Sequence, residues 1–142
     1  MLEKDAILSK ISIIKNCLRT IEKVTSFDPE KLNDIFVQDV FVLNVQRAVQ
    51  ACIDIANIII SKKGFRLPAS YKESFYILHR EGIVDESLTK KMNSMVGFRN
   101  IAVHEYENLE LEILKSILTK NLKDLEGFYS LIYTNLDKLF QE

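Results

Sequence analysis

Arg99, His104 and Tyr106 stand in the pattern Arg-x4-His-x-Tyr within the stretch Gly97-Phe98-Arg99-Asn100-Ile101-Ala102-Val103-His104-Glu105-Tyr106. An arginine can hold a phosphate through charge and paired N–H donors, and a histidine can move a proton near neutral pH. With two histidines, five arginines and five tyrosines in the chain, the three-residue pattern arises by chance in roughly one sequence of this composition in 400. Arg-x4-His alone arises in about one in 15, so the tyrosine supplies most of the signal. No set of His, Cys, Asp and Glu has a recognisable metal spacing, and no Gly-rich phosphate loop, nucleophile elbow or dinucleotide fingerprint is present. The chemistry is therefore expected to need no cofactor and no metal.

The elements that must position these residues are helical. A chain of 142 residues, 47% apolar, with four Gly and two Pro, fits one domain spanning 1–142 and suits an all-α bundle. A formal charge of -1 and a pI near 6.2 leave no global basic field, so contact with nucleic acid must come from a local patch or a groove between copies. Cys17 and Cys52 lack CxxC spacing and read as small core residues. Neither a signal-peptide layout nor an apolar run long enough for a membrane span is present, so a reduced, cytoplasmic protein is expected.

Ile7, Ile11, Ile14, Leu18, Ile21 and Thr25 alternate spacings of four and three, which predicts an amphipathic helix over about 2–24. Asp28-Pro29-Glu30 reads as an N-cap with proline at the first helical position, restarting the chain as a second helix from about Leu32 to Lys62, with Gly64 as its stop. This second helix is apolar around most of its circumference, apart from an arc of Asp39, Gln46, Gln50, Asp54, Asn57 and Ser61. Ser70 and Glu73 have capping-box spacing ahead of a short third helix ending at Gly82, where His79 and Arg80 fall in the last turn. Asp85 caps the fourth helix, which carries the motif. Glu107-Asn108 breaks the pattern before a short fifth helix from Leu109 to Leu118 and a last one from about Asn121. The sum is an antiparallel bundle of four long helices with a short extra helix.

On the fourth helix, Leu88, Met92, Met95, Val96, Ala102 and Val103 define an apolar stripe that contains Arg99 and Tyr106. A guanidinium there needs partners, for which Asp39, Asp54 and Gln50 of the second helix are candidates. His104 lies on a seam with Asn93, Gly97 and Asn100, about 140° from Arg99 on an ideal helix. Either the helix end distorts near His104, or the two converge across a groove between two copies of the chain. Metal-free RNA cleavage needs a base, an acid and a cation for the phosphorane, and a two-fold axis would supply two motif histidines.

The stretch from Gly97 to Tyr106 strongly resembles the signature of the HEPN superfamily, and its Arg-Asn-x-Ala-Val-His-x-Tyr form is similar to the HepT toxins. The likeness extends over nearly the whole chain. It implies a homodimeric, metal-independent endoribonuclease toxin in which Arg99 and His104 are the catalytic pair, with Asn100 as the polar residue beside the arginine. It also implies a cognate MntA-like nucleotidyltransferase antitoxin that attaches AMP to Tyr106, placing charge and bulk where an RNA phosphate would bind. The alternative is a catalytically silent HEPN module that presents a helical surface to a nucleotidyltransferase without being modified at Tyr106.

Overall fold

The computed structural model describes residues 2–141, all in helices, turns and connections, with no strand among them. Helix α1 (Leu2–Thr25) leads through a 3-10 turn (Pro29–Asn33) into α2 (Ile35–Lys63); α3 (Tyr71–Arg80) and α4 (Glu86–His104) follow. A second 3-10 turn (Tyr106–Asn108) precedes α5 (Leu111–Ser116), a π-helical segment (Ile117–Asn121), α6 (Leu122–Thr134) and the single turn α7 (Leu136–Leu139). Helix α2 is the centre, touching α1, α3, α4 and α6. Successive long helices joined by short connections pack alongside one another, which gives the expected antiparallel bundle. No described helix is long and apolar enough to cross a membrane.

The stripe of α1 buries Ile7, Ile11, Ile14, Cys17, Ile21 and Thr25, with Leu18 only half-buried because Cys17 takes the inner position. Against it α2 buries residues on most of its circumference, among them Phe41, Val45, Ala48, Cys52, Ile55 and Ile59, each fully shielded. Removing that much apolar surface from water is the main drive for the pairing. Both cysteines are free and buried, and burial pushes both thiols up from their ordinary value.

Three helix ends follow the capping signals. The Ser70 hydroxyl accepts from Glu73 N at 3.2 Å, while the Glu73 carboxylate accepts from Ala69 N and from Arg66 rather than from Ser70 N, so only one arm of the expected capping box forms. Asp85 Oδ1 accepts from Leu88 N at 2.7 Å and starts the helix that carries the motif. At Gly64, φ is +70° and Phe65 N donates to Ile60 O, the left-handed closure that favours glycine. Replacing Asp85 by alanine should cost about 1 kcal/mol in urea unfolding at unchanged m-value, since it strands an N–H at the start of α4.

Two boundaries differ from the periodicity. Asp28 caps only the 3-10 turn, through Glu30 N, and a second cap, Asp34, starts α2 at Ile35 by accepting from Phe36 N at 2.8 Å. The fully buried Leu32 anchors the turn between them, so its apolar character does not belong to α2. Toward the end of the chain the expected break near Asn121 is absent: α5 runs into α6 through the π-helical segment. The wider turn keeps Ile117, Leu118 and Leu122 all buried where an unbroken 3.6-residue repeat would shift their register.

Candidate functional site

Helix α4 stays regular through His104, with Glu105 N donating to Ile101 O at 2.8 Å; there is no distortion to turn the histidine toward Arg99. Met92, Met95, Val96, Phe98 and Ala102 face the core, whereas Val103, placed in the apolar stripe by periodicity, is 39% exposed. The helix ends at His104, with Glu105 as its C-cap, so Tyr106 lies in the following 3-10 turn and not on the stripe at all. A helical wheel stops being valid where the helix does.

Arg99 is half-buried, and the first turn of α3 covers it. Its guanidinium carbon lies 5.0 Å from the centre of the Tyr71 ring, and Nη1 donates to Asn100 Oδ1 at 3.1 Å. Nε is buried and finds no acceptor among the described residues, and no carboxylate there pairs with the guanidinium. The expected partners on α2 are engaged elsewhere. Gln50 Nε2 donates to Asp54 Oδ1 at 2.9 Å, and Asp54 Oδ2 pairs with Lys10 of α1 at 3.0 Å. Asn57, in the same arc, accepts from the Ser74 hydroxyl of α3 at 2.7 Å. Much of the polar arc of α2 therefore stitches helices together; neither Gln50 nor Asp54 reaches the arginine, because their turn of α2 faces α1 while Arg99 leans on α3.

Lys72 adds a second cation: a Cβ built on Gly97 would sit 3.9 Å from Lys72 Nζ. Tyr71 and Lys72, the first two residues of α3, thus bracket the Gly97 and Arg99 turn of α4. Sequence reasoning missed both. The Ser70 cap marks them as first-turn residues, but nothing local says which helix that turn meets.

Asp39 meets the motif from the other side. The Tyr106 hydroxyl donates to Asp39 Oδ1 across 67 positions of sequence. Burial, then this bond and the carboxylate's charge, push the phenol up to about 12. His104 is exposed and makes no hydrogen bond or ion pair within the described chain. The structure thus joins Arg99 with Asn100 and Tyr71, joins Tyr106 with Asp39, and leaves His104 apart. Among the described residues no cluster of His, Cys, Asp and Glu is placed to hold a metal. His79, by contrast, has a structural contact, its Nδ1 lying 3.0 Å from Val84 O.

Arg99 thus leaves a half-buried positive charge without a counter-ion among the described residues of an all-helical bundle. Residues 14–132 match the family model described as ribonuclease HepT-like. An mRNA nuclease, HepT of Shewanella oneidensis, is 38% identical over 128 residues, covering 90% of this chain and 96% of the relative. The solved structure of a tri-AMPylated Shewanella oneidensis HEPN toxin in complex with its MNT antitoxin superposes with a TM-score of 0.86 at 37% identity, covering 92% of this chain and 98% of that one. A toxin–antitoxin crystal structure with AMP-PNP gives a TM-score of 0.87 at 37% identity with the same coverage. The chain belongs to the HepT-like ribonuclease family.

Proposed function

We propose that this chain is the ribonuclease toxin of a toxin–antitoxin pair, acting on RNA in the cytoplasm as a metal-independent homodimer. Arg99 stabilises the scissile phosphate, with Asn100 holding its guanidinium, and His104 acts as general base or acid. Tyr106 is the site at which an MntA-like nucleotidyltransferase partner adds AMP. The observation that carries this reading is the charge of Arg99, which sits half-buried against Tyr71 with no carboxylate to neutralise it among the described residues. A protein that kept this arginine for stability alone would be expected to pair it.

The two-copy arrangement is supported by geometry. On a helix that remains regular, Arg99 and His104 diverge, so one chain presents a phosphate clamp and a proton carrier on different faces. Exposed apolar side chains surround this region: Phe36 and Leu43 flank Asp39 along α2, and Ile101 and Val103 flank His104 on α4. Apposing two copies would cover them and bring two histidines to one groove.

The test is made on the full chain, purified alone and after coexpression with an MntA-like nucleotidyltransferase. Alone, it should cleave RNA in the presence of a chelator. After coexpression, its intact mass should rise by whole AMP units and cleavage should cease. Tyr106→Phe should gain no mass and keep cleaving when the partner is present. Cleavage that needs an added metal, or AMP units retained by Tyr106→Phe, would contradict the reading.

A further inference from the structure

We propose that Asp39 is the base that accepts the phenolic proton when Tyr106 is adenylylated. The inference rests on Tyr106 being the AMP acceptor, and it assigns a catalytic part in that transfer to the modified chain itself.

The hydroxyl of Tyr106 already donates its proton to Asp39 Oδ1. No other titratable group of the described chain bonds it. Glu105, beside it in sequence, accepts from Asn108 Nδ2 at 3.4 Å instead, and His104 bonds nothing. Donation uses the proton and leaves the lone pairs of the oxygen free to approach phosphorus. Tyr106 is 44% exposed, so a nucleoside triphosphate held by a partner protein can reach it. The phenol stays protonated at neutral pH, and its proton must leave during the attack itself.

A carboxylate is a weak base toward a phenol in the ground state, but phosphoryl transfer passes through a loose transition state. There the attacking oxygen becomes acidic only as its bond to phosphorus forms. A positioned aspartate that takes the hydroxyl proton late serves this way in protein kinases. The balance is complete: the Tyr106 Oη–Pα bond forms and the bond from Pα to the bridging oxygen of the β-phosphate breaks. Pyrophosphate leaves, and the proton passes to Asp39 and then to solvent. Asp39 lies on the long, packed helix α2 while Tyr106 lies in a three-residue turn, so the rigid element holds the base and aims the nucleophile.

Asp39→Asn isolates the proton transfer, because the amide oxygen can still accept the hydrogen bond but cannot take up the proton. The full-length protein is incubated with the purified nucleotidyltransferase and ATP, and AMP addition is followed by intact mass. Addition of the first unit should slow about 100-fold in kcat with KM for this protein unchanged. A second unit added to the first AMP has its acceptor on the nucleotide and not on Tyr106, so its rate should not depend on Asp39. Asp39→Glu, which restores a carboxylate, should recover part of the first rate. First addition at the wild-type rate in Asp39→Asn overturns the inference alone. So does a rise in KM at unchanged kcat, or an equal slowing of both additions, either of which would make Asp39 a docking contact. No mass gain in the wild type, or an undiminished gain in Tyr106→Phe, removes the assignment of Tyr106 and this inference with it.

Discussion

His104→Ala should lose at least about 100-fold in RNA cleavage while the protein folds and assembles as before. The size follows from what a positioned general acid or base contributes, on the order of 100- to 10,000-fold. The absence of a folding cost follows from the surroundings of the ring. His104 is exposed at the last turn of α4 and bonds no described group, so its removal leaves no orphaned partner and no cavity. Urea unfolding should move by less than about 0.5 kcal/mol. Cleavage measured on a defined RNA, beside the unfolding curve of the same preparation, separates the two quantities. Wild-type cleavage by the alanine variant would remove the histidine from the mechanism, and a collapse of stability would show that it has a structural partner instead.

The largest effect on stability is expected from Phe128→Ala. Phe75 of α3 and Phe128 of α6 are both fully buried, and their rings meet edge to face with centroids 5.4 Å apart at 78°. Truncating one removes its own transfer free energy, opens a cavity and forfeits the ring pair, together about 3–5 kcal/mol. For a protein whose total stability is on the order of 5–15 kcal/mol, that is a large fraction. The thermal midpoint should fall by roughly 10–20 °C. Because α6 also packs on α4 and α2, the loss is expected to loosen the motif helix, and Phe128→Leu, which refills most of the volume, should recover most of the midpoint.

These elements also mark how far local pattern carries. Ser70, Asp85, Gly64 and Gly82 are legible in the sequence because a cap or a left-handed closure involves residues only a few positions apart. The apolar face of α1 is legible for the same reason. Asp34 is hidden because Asp28-Pro29 presents a stronger start signal, its cap six residues earlier, although it begins only a 3-10 turn. At the motif, residue types could be read but neighbours could not. A wheel puts Arg99 toward the interior, yet it does not say that Tyr71 and not Asp54 awaits it there, since that choice depends on how three helices cross. Tyr106 was assigned to the wrong face because the wheel was continued past the end of α4. Asp39 was visible as one of six polar residues on an arc, and only its long-range bond to Tyr106 singles it out.

That bond changes character when it is used. Before transfer, Tyr106 supplies a proton and Asp39 a negative charge, and the turn after α4 is tied to α2. On the assignment proposed for Tyr106, an oxygen that carried AMP would have no proton to give, and the phosphodiester would bring its own negative charge up to the carboxylate. Attraction would then become repulsion at short range, and the tie between this turn and α2 would be lost. On the proposed assignment the clasp would serve once: it presents the hydroxyl for a single transfer and cannot re-form while that oxygen carries the nucleotide.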